Sequence, residues 1–195
     1  MLATNKQEQR VNERRQLIIE AAKTCFSEHG FHGCSMAELF NRSGYGAGQL
    51  YRDFHSKEAL INEVVKSVAA QWRAFLFRQL RSDTTLSDLL NIESAFWSGW
   101  SQREHALLLE SYSEASRNEQ VRKILTDEEE QTINYLAGNS GILNSETQQP
   151  FSRAQIRLLL AIIDGFICRV VYDQQLNENE LRRLNTLIFS NPPNA

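Results

Sequence analysis

SMAELFNRSGYGAGQLYRDFHSK, residues 35–57, reads as two short helical segments joined by a glycine turn. Ser35 and Glu38 have capping-box spacing, in which the hydroxyl takes an amide of the first turn and the carboxylate reaches back. Met36, Leu39 and Phe40 then recur at one-turn spacing and give that helix an apolar face. Ser43-Gly44 ends it, because glycine readily takes the left-handed backbone that follows a helix C-terminus. A second helix over about 47–54 turns Leu50 and Phe54 inward and leaves Gln49, Arg52, Asp53 and part of Tyr51 outward. Ser56 caps a third, longer helix. Helix, tight turn and helix form the motif whose second helix enters the major groove of DNA.

Upstream, residues 11–29 carry Leu17, Ile18, Ala21, Ala22, Cys25 and Phe26 in pairs every four positions, the stripe of a helix packed on a core. Gly30-Phe31 stops it. Residues 1–10 are polar and predict a flexible arm. Downstream, Leu60, Ile61, Val64, Val65, Val68, Trp72, Phe75, Leu76 and Leu80 place one broad face on a helix over 56–80, about 36 Å long at 1.5 Å per residue. Thr85 with Asp88 predicts a helix whose stripe runs Leu86, Leu89, Leu90, Glu93, Phe96, Trp97 and Trp100. Helices over 101–115 and 119–137 come next, then a loop over 138–151 that lacks any period. Residues 153–173 predict a helix that is apolar nearly all round, and 177–190 a last one. The reading is an all-α chain with an arm at 1–10, a helix-turn-helix domain at 11–55 and a helical domain at 56–195.

Composition narrows the function. The net charge of −3 excludes a uniformly basic nucleic-acid binder. Its distribution is uneven: Lys6, Arg10, Arg14 and Arg15 outnumber Glu8 and Glu13 in residues 1–15, whereas TDEEEQTIN at 126–134 is acidic. One DNA-facing end on an acidic body has this pattern. The three cysteines, Cys25, Cys34 and Cys168, are odd in number and fit no Cys-x-x-Cys spacing, which predicts unpaired thiols in a reducing compartment. Cys25, His29, His32 and Cys34 cluster in sequence, but a zinc site needs four converging ligands, and the stripe buries Cys25. They read as one core thiol beside exposed histidines. The polar N-terminus lacks a signal-peptide core, and the apolar run Leu158–Ile163 is far short of the ~20 residues of a membrane span. A cytoplasmic protein without metal or cofactor is expected.

Residues 14–63 resemble the DNA-binding domain of TetR-family transcriptional repressors. The resemblance rests on Arg15, Ile18, Ala21-Ala22, Phe26 and Gly30-Phe31, followed by SGYGAGQLYRDFHSKEAL with Leu50, Tyr51, Phe54, Ser56, Lys57, Glu58 and Leu60 in register. It implies phosphate contacts from Ser35, Tyr51, His55 and Lys57, with Arg42 and Arg52 as further candidates. Gln49 is the expected base reader, since its amide can pair bidentately with adenine. The chain departs from the family pattern at Gly46-Ala47-Gly48, where Ala47 and its neighbours offer the groove only backbone and a methyl group.

In the C-terminal part, Phe96, Trp97, Trp100, Tyr112 and Phe166 concentrate aromatic surface, and Glu93 interrupts an apolar stripe. An apolar pocket with a few polar groups suits a small effector, so these six are the expected effector site. The all-round apolar helix predicts a partner copy, with Leu160, Ile163, Ile167, Leu184 and Ile188 at a homodimer interface. No nucleophile elbow or phosphate loop is present, and Gly44-x-Gly46-x-Gly48 follows no strand, so catalysis is not expected. The expectation is a dimeric, ligand-responsive repressor of a palindromic operator. The Gly-Ala-Gly segment also fits a helical ligand- or partner-binding protein with a degenerate recognition helix.

Overall fold

The computed structural model of the chain describes residues 2–81, 83–91, 93–138, 151–169, 177, 179–180 and 182–183. Helix α1 (Leu2–Gly33) is followed by α2 (Met36–Ser43), α3 (Ala47–Phe54) and α4 (Lys57–Gln79). Then come a single-turn α5 (Leu86–Leu89), a 3-10 turn at Ala95–Trp97, α6 (Gln102–Ala115), α7 (Glu119–Gly138) and α8 (Arg153–Ile167). Among the described residues no strand occurs, and no helix is long and apolar enough to cross a membrane. Two compact units partition the chain: Met1–Ala70 with Ser101–Thr126, and Gln71–Trp100 with Asp127–Ala195. The first unit thus includes the start of α4 and recruits α6.

Helix α1 begins at Leu2, so the stretch expected as a flexible arm is helical. Its buried stripe is also rotated from the expected one. Leu17 is 57% exposed, whereas Ile18, Ile19, Ala22, Cys25 and Phe26 are buried. Gly30, at φ 72°, breaks the helical path, and the chain turns there so that Phe31 packs edge-on against Phe26 with ring centroids 5.1 Å apart. Only glycine takes this conformation without a steric cost. Each fully buried phenylalanine of this kind contributes roughly 1.5–3 kcal/mol through its removal from water.

The helix expected over 85–100 does not form as one element. The Thr85–Asp88 capping box starts α5, but Asn91 Oδ1 accepts from the Glu93 amide at 3.0 Å and Ser94 Oγ donates to the Asp88 carbonyl at 2.6 Å. Short polar side chains here satisfy backbone groups that a helix would have used. Gly99, at φ 85°, completes the reversal before Ser101 caps α6.

In the second unit the acidic stretch of α7 is matched by arginines. Arg73 bonds Glu128 and Gln131, and Arg153 and Arg157 pair with Glu130 at 2.6 and 2.7 Å. These bonds hold the Glu130 carboxyl below its ordinary range, chiefly through Arg157 and then Arg153. Of the expected interface residues, Leu160, Ile163 and Ile167 are 6%, 0% and 1% exposed inside this one chain. They are packed within this chain, in the second unit. The exposed positions of α8 include Ala154, Leu158, Ala161 and Gly165, which succeed one another at helical spacing. Leu184 and Ile188 lie outside the described residues.

Candidate nucleic-acid interface

The capping box read from Ser35 and Glu38 forms: Ser35 Oγ accepts from the Glu38 amide at 3.2 Å, and the Ser35 amide donates to Glu38 Oε2 at 2.8 Å. Gly44 closes α2 in the left-handed conformation at φ 70°. Gly46 then caps α3 without a side chain, and a Cβ built at Gly46 or Gly48 meets nothing within 4 Å. The start of α3 is therefore open on its outer side. Leu50 and Phe54 are buried beneath it.

Helix α3 is tied to α1 at its far end. Arg14 makes a fork to Asp53, Nε to Oδ2 at 2.7 Å and Nη2 to Oδ1 at 2.9 Å. Arg15 donates to the Asp53 carbonyl and lies over the Phe54 ring at 4.4 Å. The hydrogen bond from Arg14 holds the Asp53 carboxyl below its ordinary range, against the opposing effect of burial. Asp53, expected outward, is thus a structural partner. Arg14 and Arg15, expected as part of a basic end, are spent on fixing α3.

Gln49 lies against the same arginine. It is half-buried, and with its amide oriented to satisfy both ends its oxygen accepts from Arg14 Nε and Nη2 at 3.0 and 3.2 Å. In that orientation the amide joins the Arg14–Asp53 network. The outward set is Ala47, Gly48, Tyr51, Arg52 and His55, all exposed. Tyr51 is 46% exposed and rests its ring edge on Phe40, 6.1 Å between centroids. His55 ends α3 at φ 59°, with its amide donating to the Tyr51 carbonyl at 2.9 Å. Ser35 is exposed, although its hydroxyl serves the cap. Arg42 pairs with Glu28 at 2.6 Å. Lys57 Nζ donates to the His32 carbonyl at 3.3 Å.

Helix α6 grips the turn between α1 and α2. The Phe31 amide donates to Glu110 Oε1 at 2.9 Å, and the His32 ring meets Glu114 Oε2 at 2.9 Å. Glu114 is buried, and burial pushes its carboxyl up. Bonds from Asn118 and His32, with the charge of Arg117, outweigh that and hold it below its ordinary value. Sequence reading missed this clasp, because Phe31 and Glu110 stand 79 positions apart and share no motif.

Cys25 and Cys34 form a disulfide with Cα atoms 5.8 Å apart, and both residues are fully buried. This overturns the unpaired core thiol expected from cysteine count. Cys168 remains free and exposed.

The expected effector residues do not gather as one face. Glu93 is exposed, because the turn at 91–94 takes it out of the stripe. In the second unit, Trp100 lies 4.8 Å from Trp72 and 5.1 Å from Phe75, Phe96 packs on Trp97, and Trp97 reaches Phe166 at 5.5 Å. Trp97 Nε1 donates to the Leu89 carbonyl at 3.1 Å, whereas Trp100 Nε1 is buried without a partner among the described residues. Tyr112 belongs to the first unit, on α6.

A capped helix, an αL glycine turn and a second helix pinned by an arginine fork define the helix-turn-helix class. Residues 18–64 match the family of bacterial regulatory proteins, tetR family. The chain is 36% identical over 114 residues to the HTH-type transcriptional regulator UidR of Escherichia coli K12, covering 57% of this chain and 56% of that protein. It is 27% identical over 95 residues to the HTH-type transcriptional repressor KstR2 of Mycobacterium tuberculosis H37Rv, 49% of this chain and 46% of that one. The match thus spans about half the length of these curated relatives. Among solved structures, Salmonella enterica GusR superposes with a TM-score of 0.66 at 26% identity, over 91% of this chain and 95% of that one. The multidrug binding protein EbrR, solved with ethidium, shares the fold at 19% identity and a TM-score of 0.62, over 90% and 98%. The similarity to the tetR family is carried by residues 18–64.

Proposed function

We propose that this chain is a DNA-binding transcriptional repressor that occupies a palindromic operator as a homodimer and leaves it when a small molecule binds the second unit. The outward face of α3 carries the reading: Tyr51, Arg52 and His55 are exposed beside a helix start that no side chain obstructs. Hydroxyl and cationic groups meet phosphates, while an open helix start lets the backbone come close to them. With Gln49 drawn into the Arg14 network, Arg52 is the side chain left to read a base edge, and guanine is its geometric match. Selection of duplexes from a random library tests this. An enriched palindrome with half-sites one helical turn apart supports it, and no enrichment returns the chain to a helical ligand- or partner-binding protein.

Dimerisation is assigned to the exposed α8 positions Ala154, Leu158, Ala161 and Gly165, where small residues let a second helix approach. The effector reading rests on Trp100, whose buried indole N–H lacks an acceptor among the described residues; an unpaired buried donor of this kind is costly unless a ligand supplies the partner. Such a ligand must prefer the unbound state of the repressor, since equal affinity for both states shifts nothing. Quenching of tryptophan fluorescence together with release of DNA is the expected signature.

A further inference from the structure

We propose that Cys25–Cys34 is a reversible thiol–disulfide site that sets the placement of the helix-turn-helix, the oxidised pair being the DNA-binding form. The proposal rests on the DNA-binding reading above. Cys25 sits within α1, whereas Cys34 lies in the two-residue link to α2, directly before the capping residue Ser35. Their Cα separation of 5.8 Å is that of an ordinary disulfide. The bridge closes the loop that holds Gly30, Phe31 and His32. From that loop the Cys34 amide bonds the Gly30 carbonyl at 3.3 Å, and the His32 carbonyl receives Lys57, a phosphate-contact candidate. One covalent bond therefore fixes both the start of α2 and the seat of Lys57.

Reduction by a small-molecule thiol breaks one S–S bond and forms two S–H bonds, while the thiol couple is oxidised to its own disulfide. Two thiol sulfurs cannot approach as closely as bonded ones, and they need more than ~1 Å of extra separation. Both cysteines are 0% exposed, so there is no solvent side into which the pair can expand. A close-packed interior holds no spare volume either. Cys25 is fixed by helix on both sides, so the displacement falls on Cys34 and carries Ser35 and α2 with it. Because α3 is joined to α2 through the tight Gly44 turn, the face offered to DNA moves too. Burial also means that exchange proceeds through opening of the domain, which bound DNA opposes.

The test uses the full chain with Cys168→Ser, so that the exposed thiol does not cross-link. EDTA is present because the Glu38 carboxylate lies within 4.8 Å of both sulfurs and metal must not occupy the reduced pair. Duplexes are selected from a random library by the oxidised and the reduced protein in parallel. Amide hydrogen exchange over residues 34–54 is followed without DNA. Expected are gain of two thiol hydrogens by intact mass, faster exchange over 34–54, and DNA binding about tenfold weaker on reduction, all restored by glutathione disulfide. By reciprocity, a tenfold preference lowers the midpoint potential of the pair by about 30 mV when DNA is bound. Cys25→Ser/Cys34→Ser should match the reduced form; if it fails to fold, chemical reduction and reoxidation of the unmutated pair still decide. The proposal is overturned if glutathione disulfide leaves the thiols free, if exchange is the same in both states, or if the reduced form binds as tightly. Failure of both forms to select any duplex overturns the repressor reading instead, and the DNA-free exchange arm distinguishes the two results.

Discussion

Arg14 and Asp53 show how much a single pair decides in this domain. Asp53 is 6% exposed and Arg14 22%, and the fork between them has both of its bonds below 3 Å. Hydrogen bonds to charged groups at such sites contribute roughly 1.5–3 kcal/mol. Asp53→Asn should therefore lower the stability of the first unit by about that amount in chemical denaturation. The pH dependence has a definite sign. A folded-state pKa below the unfolded value gives stability that is present above about pH 4 and is lost as pH falls through the folded pKa. Asp53→Asn should remove that acid-side slope. Gln49→Ala should cost stability and leave the preferred DNA sequence unchanged, because the amide serves Arg14. A change in operator preference with stability intact would restore Gln49 as a base reader.

At the scale of elements, the Gly30 turn is the point where α1, α2 and α6 are joined. Gly30 stands at φ 72°, and an added Cβ would lie 3.1 Å from Glu110 Oε1. Gly30→Ala carries a conformational cost of about 1–2 kcal/mol before any clash is counted. For a chain of this size it should lower the melting temperature by about 2–8 °C. Glu110→Ala removes the acceptor of the Phe31 amide, and hydrogen exchange at that amide should rise while the amides of α8 keep their protection. Unchanged exchange at Phe31 would mean that the turn holds itself without α6. The His55 backbone, left-handed at φ 59°, shows that α3 too is ended by its surroundings, with Phe54 buried on one side of it.

For the whole molecule, assembly and DNA binding give separable predictions. Leu158→Asp should produce monomers in sedimentation with helicity retained, because Leu158 is 44% exposed in the chain. Ile163→Asp should unfold the second unit, since an unpaired carboxylate at a 0% exposed site costs several kcal/mol. If both variants remain dimeric, the interface lies elsewhere. DNA affinity should fall steeply with salt, and Lys57→Ala should flatten the log–log slope by roughly 0.9 for each phosphate no longer neutralised. The same variant should weaken all sequences about equally, since a phosphate contact carries no base information. A selective change of preferred duplex would reassign Lys57.

The sequence by itself determined what is local. The capping boxes at Ser35 and Thr85, the Gly44 turn and the α2–α3 boundaries depend on residues within four positions of each other, and all were legible in order and spacing. The same locality explains the error at 85–100. An apolar stripe there favoured one helix, whereas Asn91, Ser94 and Gly99 supplied competing backbone partners and a reversal. Tertiary structure alone decided which polar residues face outward. Gln49 and Asp53 were turned inward by Arg14, 39 positions from Asp53, and no period in the sequence encodes that meeting. It also decided that Leu160, Ile163 and Ile167 fill their own core. Helical periodicity names the buried side of a helix but not the chain that buries it. The pairing of Cys25 with Cys34 depends on the distance across the Gly30 turn, and only the folded backbone sets that distance.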